Sequence, residues 1–181
     1  VVKNKLCMSK QFYIDSLKEY RDAHRLIDQI EKSNWIDSKV TIVICSPEYS
    51  SGICQLLSHK LSHLNNHVPF DLDFLEMPYP GNELYSIDEY IEDIDTLVSK
   101  YINKDNKLLF IDSGTLRGKN FTILDKVLEG SIESERIKFG CMYIQDDSIF
   151  EPDFYAQRFN LRKDGGLTFW WENQDNPYWG W

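Results

Sequence analysis

The chain has 181 residues, 42% hydrophobic and 14% aromatic, with 29 acidic against 20 basic side chains and a formal charge of −9. That much apolar content excludes a disordered chain, and the length suits one domain spanning residues 1–181. The acids are spread over 15–37, 83–95 and 129–135, without the basic clusters that duplex nucleic acid or an anionic membrane surface requires, so neither is expected as a partner. Cys7, Cys45, Cys54 and Cys141 form no C-x-x-C pair, and Cys45 and Cys141 lie inside apolar runs, as reduced thiols do in a cytoplasmic protein. No apolar run approaches the ~20 residues that span a bilayer, and no apolar core marks a signal peptide. The first methionine is Met8, and residues 1–8 are read as a leader or upstream extension.

Residues 9–38 form an N-terminal helix region. Tyr13, Leu17, Tyr20, His24 and Ile27 recur at three- and four-residue spacing, with Ile14, Ala23 and Ile30 beside them, which predicts a helix over 9–32. Residues 39–45 are a β-branched run, apolar throughout, as in a strand covered on both faces. A turn-rich loop follows at 46–52, and Ile53, Leu56, Leu57, Lys60, Leu61 and Leu64 resume helical spacing. On that helix His59, His63 and His67 recur every four residues. They read as a surface row, the alternative being zinc chelation with ligands from elsewhere. Residues 68–77 suit a strand near a sheet edge, and 78–82 break the chain. Ser86 and Glu89 form a capping box ahead of a helix carrying Ile87, Tyr90, Ile91, Ile94, Leu97, Val98 and Tyr101. A strand at 107–111, a helix at 119–129 closed by Gly130, a strand at 138–144 and a last short strand at 167–171 complete the order, with an aromatic tail at 172–181.

Helices alternating with short buried strands imply a single α/β domain, a mostly parallel sheet flanked by helices, with a short irregular β-containing C-terminal region. Ligands bind beyond the carboxyl ends of such strands, so 46–52, 77–86, 112–119 and the residues after 144 should converge on one crevice. Residues 112–120 offer the Asp112 carboxylate, the Ser113 and Thr115 hydroxyls, Gly114, Gly118, Arg117 and Lys119 at the start of a helix. Backbone amides there, with the helix dipole, can seat a phosphate. The alternative is an ordinary strand-to-helix turn in which Asp112 or Ser113 caps and the glycines permit the bend.

These residues resemble the type I phosphoribosyltransferases, whose signature is an apolar strand, two acids, three further residues, then Thr/Ser-Gly-x-Thr and an apolar residue leading a helix. Residues 108–111 match the strand, Asp112 the first acid, Gly118 the glycine, Lys119 the variable position and Phe121 the apolar residue. The resemblance extends from 39 to 172. Glu151, Pro152, Asp153, Phe154 and Tyr155 look like that family's Pro-Asp-aromatic segment, and 167–172 like its closing strand. Ser113 stands for the second acid, Arg117 for the first threonine and Asn120 for the last, and Leu116 occupies a position where purine-specific members keep a carboxylate.

The resemblance implies a ligand that is a phosphorylated ribose, either phosphoribosyl pyrophosphate or a nucleotide. Asp112 would be the catalytic residue and hold the ribose hydroxyls. Ser113, Thr115, Arg117, Gly118, Lys119 and Asn120 would hold the 5′-phosphate, and Ser50, Ser51 and Gly52 the pyrophosphate. Tyr155 or Trp170 would stack on the base. Either Mg2+ bridges Asp112 and Glu48 to the ligand, or the ligand carries no pyrophosphate at this end. Segment 77–86 is a flap or a plain connection. The tail rings Trp170, Trp171, Tyr178, Trp179 and Trp181 stack on a base, pack the tail down, or form a homodimer or partner surface. Two functions follow: transfer of a phosphoribosyl group between a diphosphate donor and a nucleobase-like acceptor, or a catalytically inactive module of the same fold acting through nucleotide or protein contacts. A third is a transferase using another sugar-phosphate donor.

Overall fold

The computed structural model describes residues 11–45, 47–77, 86–115, 117–160 and 166–169, with the side chains of 11–13, 47–49 and 166–169 left aside. In chain order the elements are β1 (Gln11–Ile14), α1 (Ser16–Lys32), β2 (Val40–Cys45), α2 (Pro47–Lys60), a 3-10 turn (Ser62–Asn65) and β3 (Asp71–Leu75). Then come α3 (Ile87–Tyr101), β4 (Lys107–Thr115), α4 (Lys119–Leu128), a second 3-10 turn (Ser134–Arg136), β5 (Ile137–Gln145), β6 (Phe154–Phe159) and β7 (Gly166–Phe169).

Five strands form one sheet in the order β3-β2-β4-β5-β6, parallel throughout. The apolar runs of β2, β4 and β5 are buried because helices cover both faces. On one face Ala23, Leu26, Ile27 and Ile30 of α1 and Ile53, Cys54 and Leu57 of α2 pack on Ile42, Leu109 and Ile111. On the other, Tyr90, Ile94 and Leu97 of α3 and Phe121, Leu124 and Leu128 of α4 pack on Val43, Leu108, Phe110 and Phe139. Phe110, Phe139, Phe121 and Phe150 form a ring cluster there with centroid separations of 5.0 to 5.5 Å. The expected edge strand is β3, and Ser86 and Glu89 close the expected capping box.

Several elements differ from the sequence reading. Helix α1 begins at Ser16, where Asp15 caps it by accepting from the Lys18 amide at 2.7 Å, and residues 11–14 form β1 instead. Two stripes on α1 share the helical period, and the sheet takes the one carrying Asp22, Ala23, Leu26, Ile27 and Ile30. Leu17 and Tyr20 stay 62% and 52% exposed. The expected loop at 46–52 is largely helical, because Pro47 opens α2 in the first position, where its missing N–H is no loss, so Ser50, Ser51 and Gly52 lie within α2. The histidine row is broken. Helix α2 ends at Lys60, Asn66 and His67 take left-handed φ values of 52° and 65°, and His63 Nε2 pairs with Glu31 Oε1 at 2.9 Å. Strand β4 runs on to Thr115, so Asp112 and Ser113 sit inside a strand end. Strand β6, absent from the sequence reading, extends the sheet beside β5.

The last short strand, expected at 167–171, is β7, which pairs in parallel with β1, Ile14 opposite Phe169. Strand β1 feeds α1, whose first turns bond the carboxyl ends of β5 and β6. Lys18 Nζ donates to Gln157 Oε1 at 2.6 Å, and Tyr143 OH to Asp22 Oδ2 at 2.9 Å. The two-stranded sheet therefore stands at the carboxyl end of the main sheet. Segment 78–85, Leu116 and 170–181, with the flap and tail expectations and Trp170, lie outside the described residues.

Candidate functional site

Register aligns Asp112 of β4 with Cys141 in the middle of β5, and Cys141 with Tyr155 at the start of β6, in one row across the sheet. At ~4.8 Å between strands, Tyr155 stands roughly 10 Å from Asp112 along the row. Asp112 is 9% exposed. Its Oδ1 accepts from the Ser113 amide at 2.7 Å, from Ser50 Oγ at 3.2 Å and from Ser113 Oγ at 3.5 Å, while Ser50 Oγ itself accepts from the Ser113 amide at 2.9 Å. Burial pushes the Asp112 pKa up to about 7 against the pull of the Ser113 and Gly114 amides and the Ser50 hydroxyl. The Cys45, Cys54 and Cys141 thiols are themselves pushed up, first by burial and then by this carboxylate. They are buried packing groups, not nucleophiles.

The structure thus brings Ser50 to Asp112 and Ser113, as the sequence reading expected, but through the first turns of a helix. Thr115 is buried at the end of β4, Ser51 is half-buried in α2, and Gly52 is exposed with open space around it. The side chain of Glu48 lies outside the described ones.

Gly118 caps α4 with φ +72° and without a side-chain hydrogen bond, and Arg117 and Lys119 beside it are exposed. A Cβ on Gly118 would meet Phe150 Cβ and Ser148 Oγ at 2.6 Å and the Phe150 amide at 2.8 Å. The Ile149 amide donates to the Arg117 carbonyl at 3.1 Å, which lays segment 148–150 over the turn. Asn120 is half-buried, and its carbonyl accepts from Tyr90 OH at 3.2 Å. Sequence reasoning sent the residues after 144 to the crevice but singled out none of Ser148, Ile149 and Phe150, which lie over the turn. It also missed Gln145 at the end of β5, which is 5% exposed, donates through Nε2 to Asp147 and leaves Oε1 without a partner.

Tyr155 is half-buried, with the Arg158 guanidinium 4.7 Å from its ring centroid and Arg158 Nε donating to its hydroxyl at 3.2 Å. Arg158 also pairs with Glu151. Among the described residues no group of three His, Cys, Asp or Glu stands close enough to hold a metal ion. Mg2+ takes a near-octahedral shell of oxygens. A buried Asp112 with Oδ1 committed to Ser50 and Ser113 does not by itself fit that shell. No helix among the described residues is long and apolar enough to cross a membrane.

A purine phosphoribosyltransferase from Pyrococcus horikoshii Ot3 aligns over 91% of this chain and 95% of its own, at 16% identity and a TM-score of 0.57. The chain has the phosphoribosyltransferase fold. The xanthine-guanine-hypoxanthine phosphoribosyltransferase of Helicobacter pylori aligns over 89% of this chain and 91% of its own, at 13% identity and TM-score 0.58. A Neisseria gonorrhoeae protein with bound ppGpp aligns over 93% and 92%, at 11% identity and TM-score 0.56. No family model and no curated relative matches the sequence. Within the phosphoribosyltransferase fold the end of β4 and the start of α4 stand at the carboxyl end of the parallel sheet, where open α/β sheets bind ligands.

Proposed function

We propose that this chain binds a phosphorylated ribose ligand of the nucleotide class as a non-catalytic module. The observation that carries the reading is the start of the ten-residue α4: no side chain caps it, and exposed Arg117 and Lys119 flank it at the carboxyl end of the sheet. Helix dipole, backbone amides and two cations together attract a phosphate. Tyr155, in the Asp112 row, offers ring surface for the base.

The binding reading is favoured over transfer because Asp112 is held inward by Ser50 and Ser113 instead of facing a ribose diol. Mg2+, where it takes part, arrives with the ligand's phosphates. Transfer is the second reading, favoured by the near-neutral Asp112 carboxyl, which suits a proton-moving group. Calorimetric titration with GMP and with phosphoribosyl pyrophosphate, each with and without Mg2+, tests both. Binding of at least one ligand is expected, weakened at least ~10-fold by the double change Arg117→Ala and Lys119→Ala, which removes two charge-assisted contacts. Binding unaffected by that change removes the site. Consumption of phosphoribosyl pyrophosphate with a purine base, abolished by Asp112→Ala, replaces the module with a transferase.

A further inference from the structure

Gln145 closes β5 at the carboxyl end of the sheet, and the function proposed above makes no use of it. It is 5% exposed, and the two ends of its side-chain amide are treated differently. Nε2 donates to Asp147 Oδ1 in the turn that follows, whereas Oε1 is buried and meets no donor among the described residues. The Asp147 carboxylate can only accept, so it holds the nitrogen toward itself and fixes which end of the amide is the acceptor. Buried polar atoms are nearly always paired, and an orphaned oxygen beside a candidate site calls for a donor from outside the chain.

The contacts around Gln145 tie it to that site. Ile144 pairs with Thr115, so Gln145 stands beside the chain as it leaves β4 for α4. The Gln145 carbonyl accepts from the Ser148 amide at 3.0 Å, and the Ile149 amide donates to the Arg117 carbonyl at 3.1 Å, so one short turn links Gln145 to the phosphate seat. On β6, Arg158 stands opposite Ile144 and donates to the Tyr155 hydroxyl at 3.2 Å, which brings that hydroxyl toward the level of the β5 end. Beyond Gln145 come the exposed acids Asp146 and Asp147. With Nε2 engaged, the side chains of 145–147 present acceptors alone.

We propose that Gln145 selects the base of the bound nucleotide, its Oε1 accepting an N–H from an exocyclic amino group, with Asp147 as the positioning residue that keeps this oxygen presented. A base with a carbonyl in place of the amino group meets acceptor against acceptor and is disfavoured. The inference rests on the nucleotide-binding reading and adds the class of base to it.

Calorimetric titration of the full chain with AMP, IMP, purine riboside 5′-monophosphate and ribose 5-phosphate tests it. AMP carries the amino group, IMP a carbonyl in its place, purine riboside 5′-monophosphate neither, and ribose 5-phosphate no base. AMP should bind at least ~5-fold more tightly than purine riboside 5′-monophosphate, the worth of one hydrogen bond, and IMP no more tightly than the latter. Gln145→Leu should reduce AMP to the affinity of purine riboside 5′-monophosphate and leave ribose 5-phosphate unchanged. Asp147→Ala, which frees the amide to turn, should narrow the preference for AMP over IMP, and Asp147→Asn, whose carbonyl still accepts from Nε2, should keep it. Equal binding of the three nucleotides by the unaltered chain overturns the proposal and leaves the nucleotide reading standing. A preference for AMP that survives Gln145→Leu does the same. Ribose 5-phosphate binding lost along with AMP binding in Gln145→Leu marks a structural role and likewise overturns it. If none of the four ligands binds the unaltered chain, the nucleotide reading falls and this proposal with it.

Discussion

Asp22 and Asp112 are both nearly sealed from water, at 1% and 9% exposure, and both receive several hydrogen bonds, but from different kinds of donor. Asp22 takes Lys18 Nζ at 2.5 Å, Arg25 at 2.8 Å and Tyr143 OH at 2.9 Å, with the Lys18 ammonium also 5.1 Å from the Tyr143 ring centroid. Among the described residues Asp112 takes only serine hydroxyls and backbone amides. Where α1 must be fastened to the sheet, the fold surrounds a carboxylate with two cations and a tyrosine hydroxyl. At the strand end beside the candidate site it supplies neutral donors alone, and burial raises the carboxyl toward neutrality. One region is built to hold and the other to respond.

The largest expected effect lies in the first region. Asp22→Ala leaves the Tyr143 hydroxyl buried without its acceptor and should lower the unfolding free energy by about 3 kcal/mol, the low end for a broken buried pair because Arg25 reaches water. Urea titration reads this, and a loss below about 1 kcal/mol would make the network ornamental.

The next effect contrasts the two ends of α4. Gly118→Ala forces a left-handed alanine against Phe150 and Ser148 and should cost about 3 kcal/mol. Gly130→Ala, at φ +80° with nothing near, should cost about 1 kcal/mol. Equal thermal shifts for the two variants would show that segment 148–150 does not press on the turn.

The smallest effect depends on pH. The folded pKa of Asp112 is about 7 against an ordinary 3.8, so the folded form binds more protons between those values. Stability from this group is greatest below 3.8, falls as pH rises toward 7 and is flat beyond. Asp37 and Asp73, where burial is outweighed by bonds from Lys107 and Lys100, slope the other way at acid pH. Asp112→Asn should flatten the decline between pH 4 and 7 and stabilise the protein at pH 8 by about 2 kcal/mol, less than the full linkage because the new amide must also be desolvated. An unchanged pH profile of stability would place the Asp112 carboxyl in contact with water.

Strands β2, β4 and β5 were legible because a strand covered on both faces reads as an unbroken apolar run, and α3 because Ser86 and Glu89 mark its start. Strand β1 was not, since Tyr13 and Ile14 satisfy the helical period of the residues that follow. Only pairing with β7, from the far end of the chain, settles them as extended. Strand β6 escaped because Gln157 and Arg158 are polar on a half-buried edge. At the site, Asp112 and Gly118 were legible from spacing, but the reason for Gly118 was not. It yields to segment 148–150, a contact no local pattern announces. Asp22 was hidden for a similar reason, because in sequence it is one more charge on an amphipathic helix.

The pairing of β1 with β7 also sets an order of assembly. Its partners are separated by almost the whole length of the chain, so closing that loop carries a large entropic cost and cannot begin during synthesis until β7 has emerged. The five-stranded sheet, whose neighbouring strands are much closer along the chain, can assemble first and present a platform on which the terminal pair is laid. Strand β1 precedes every other described strand in the chain and is among the last to find its place.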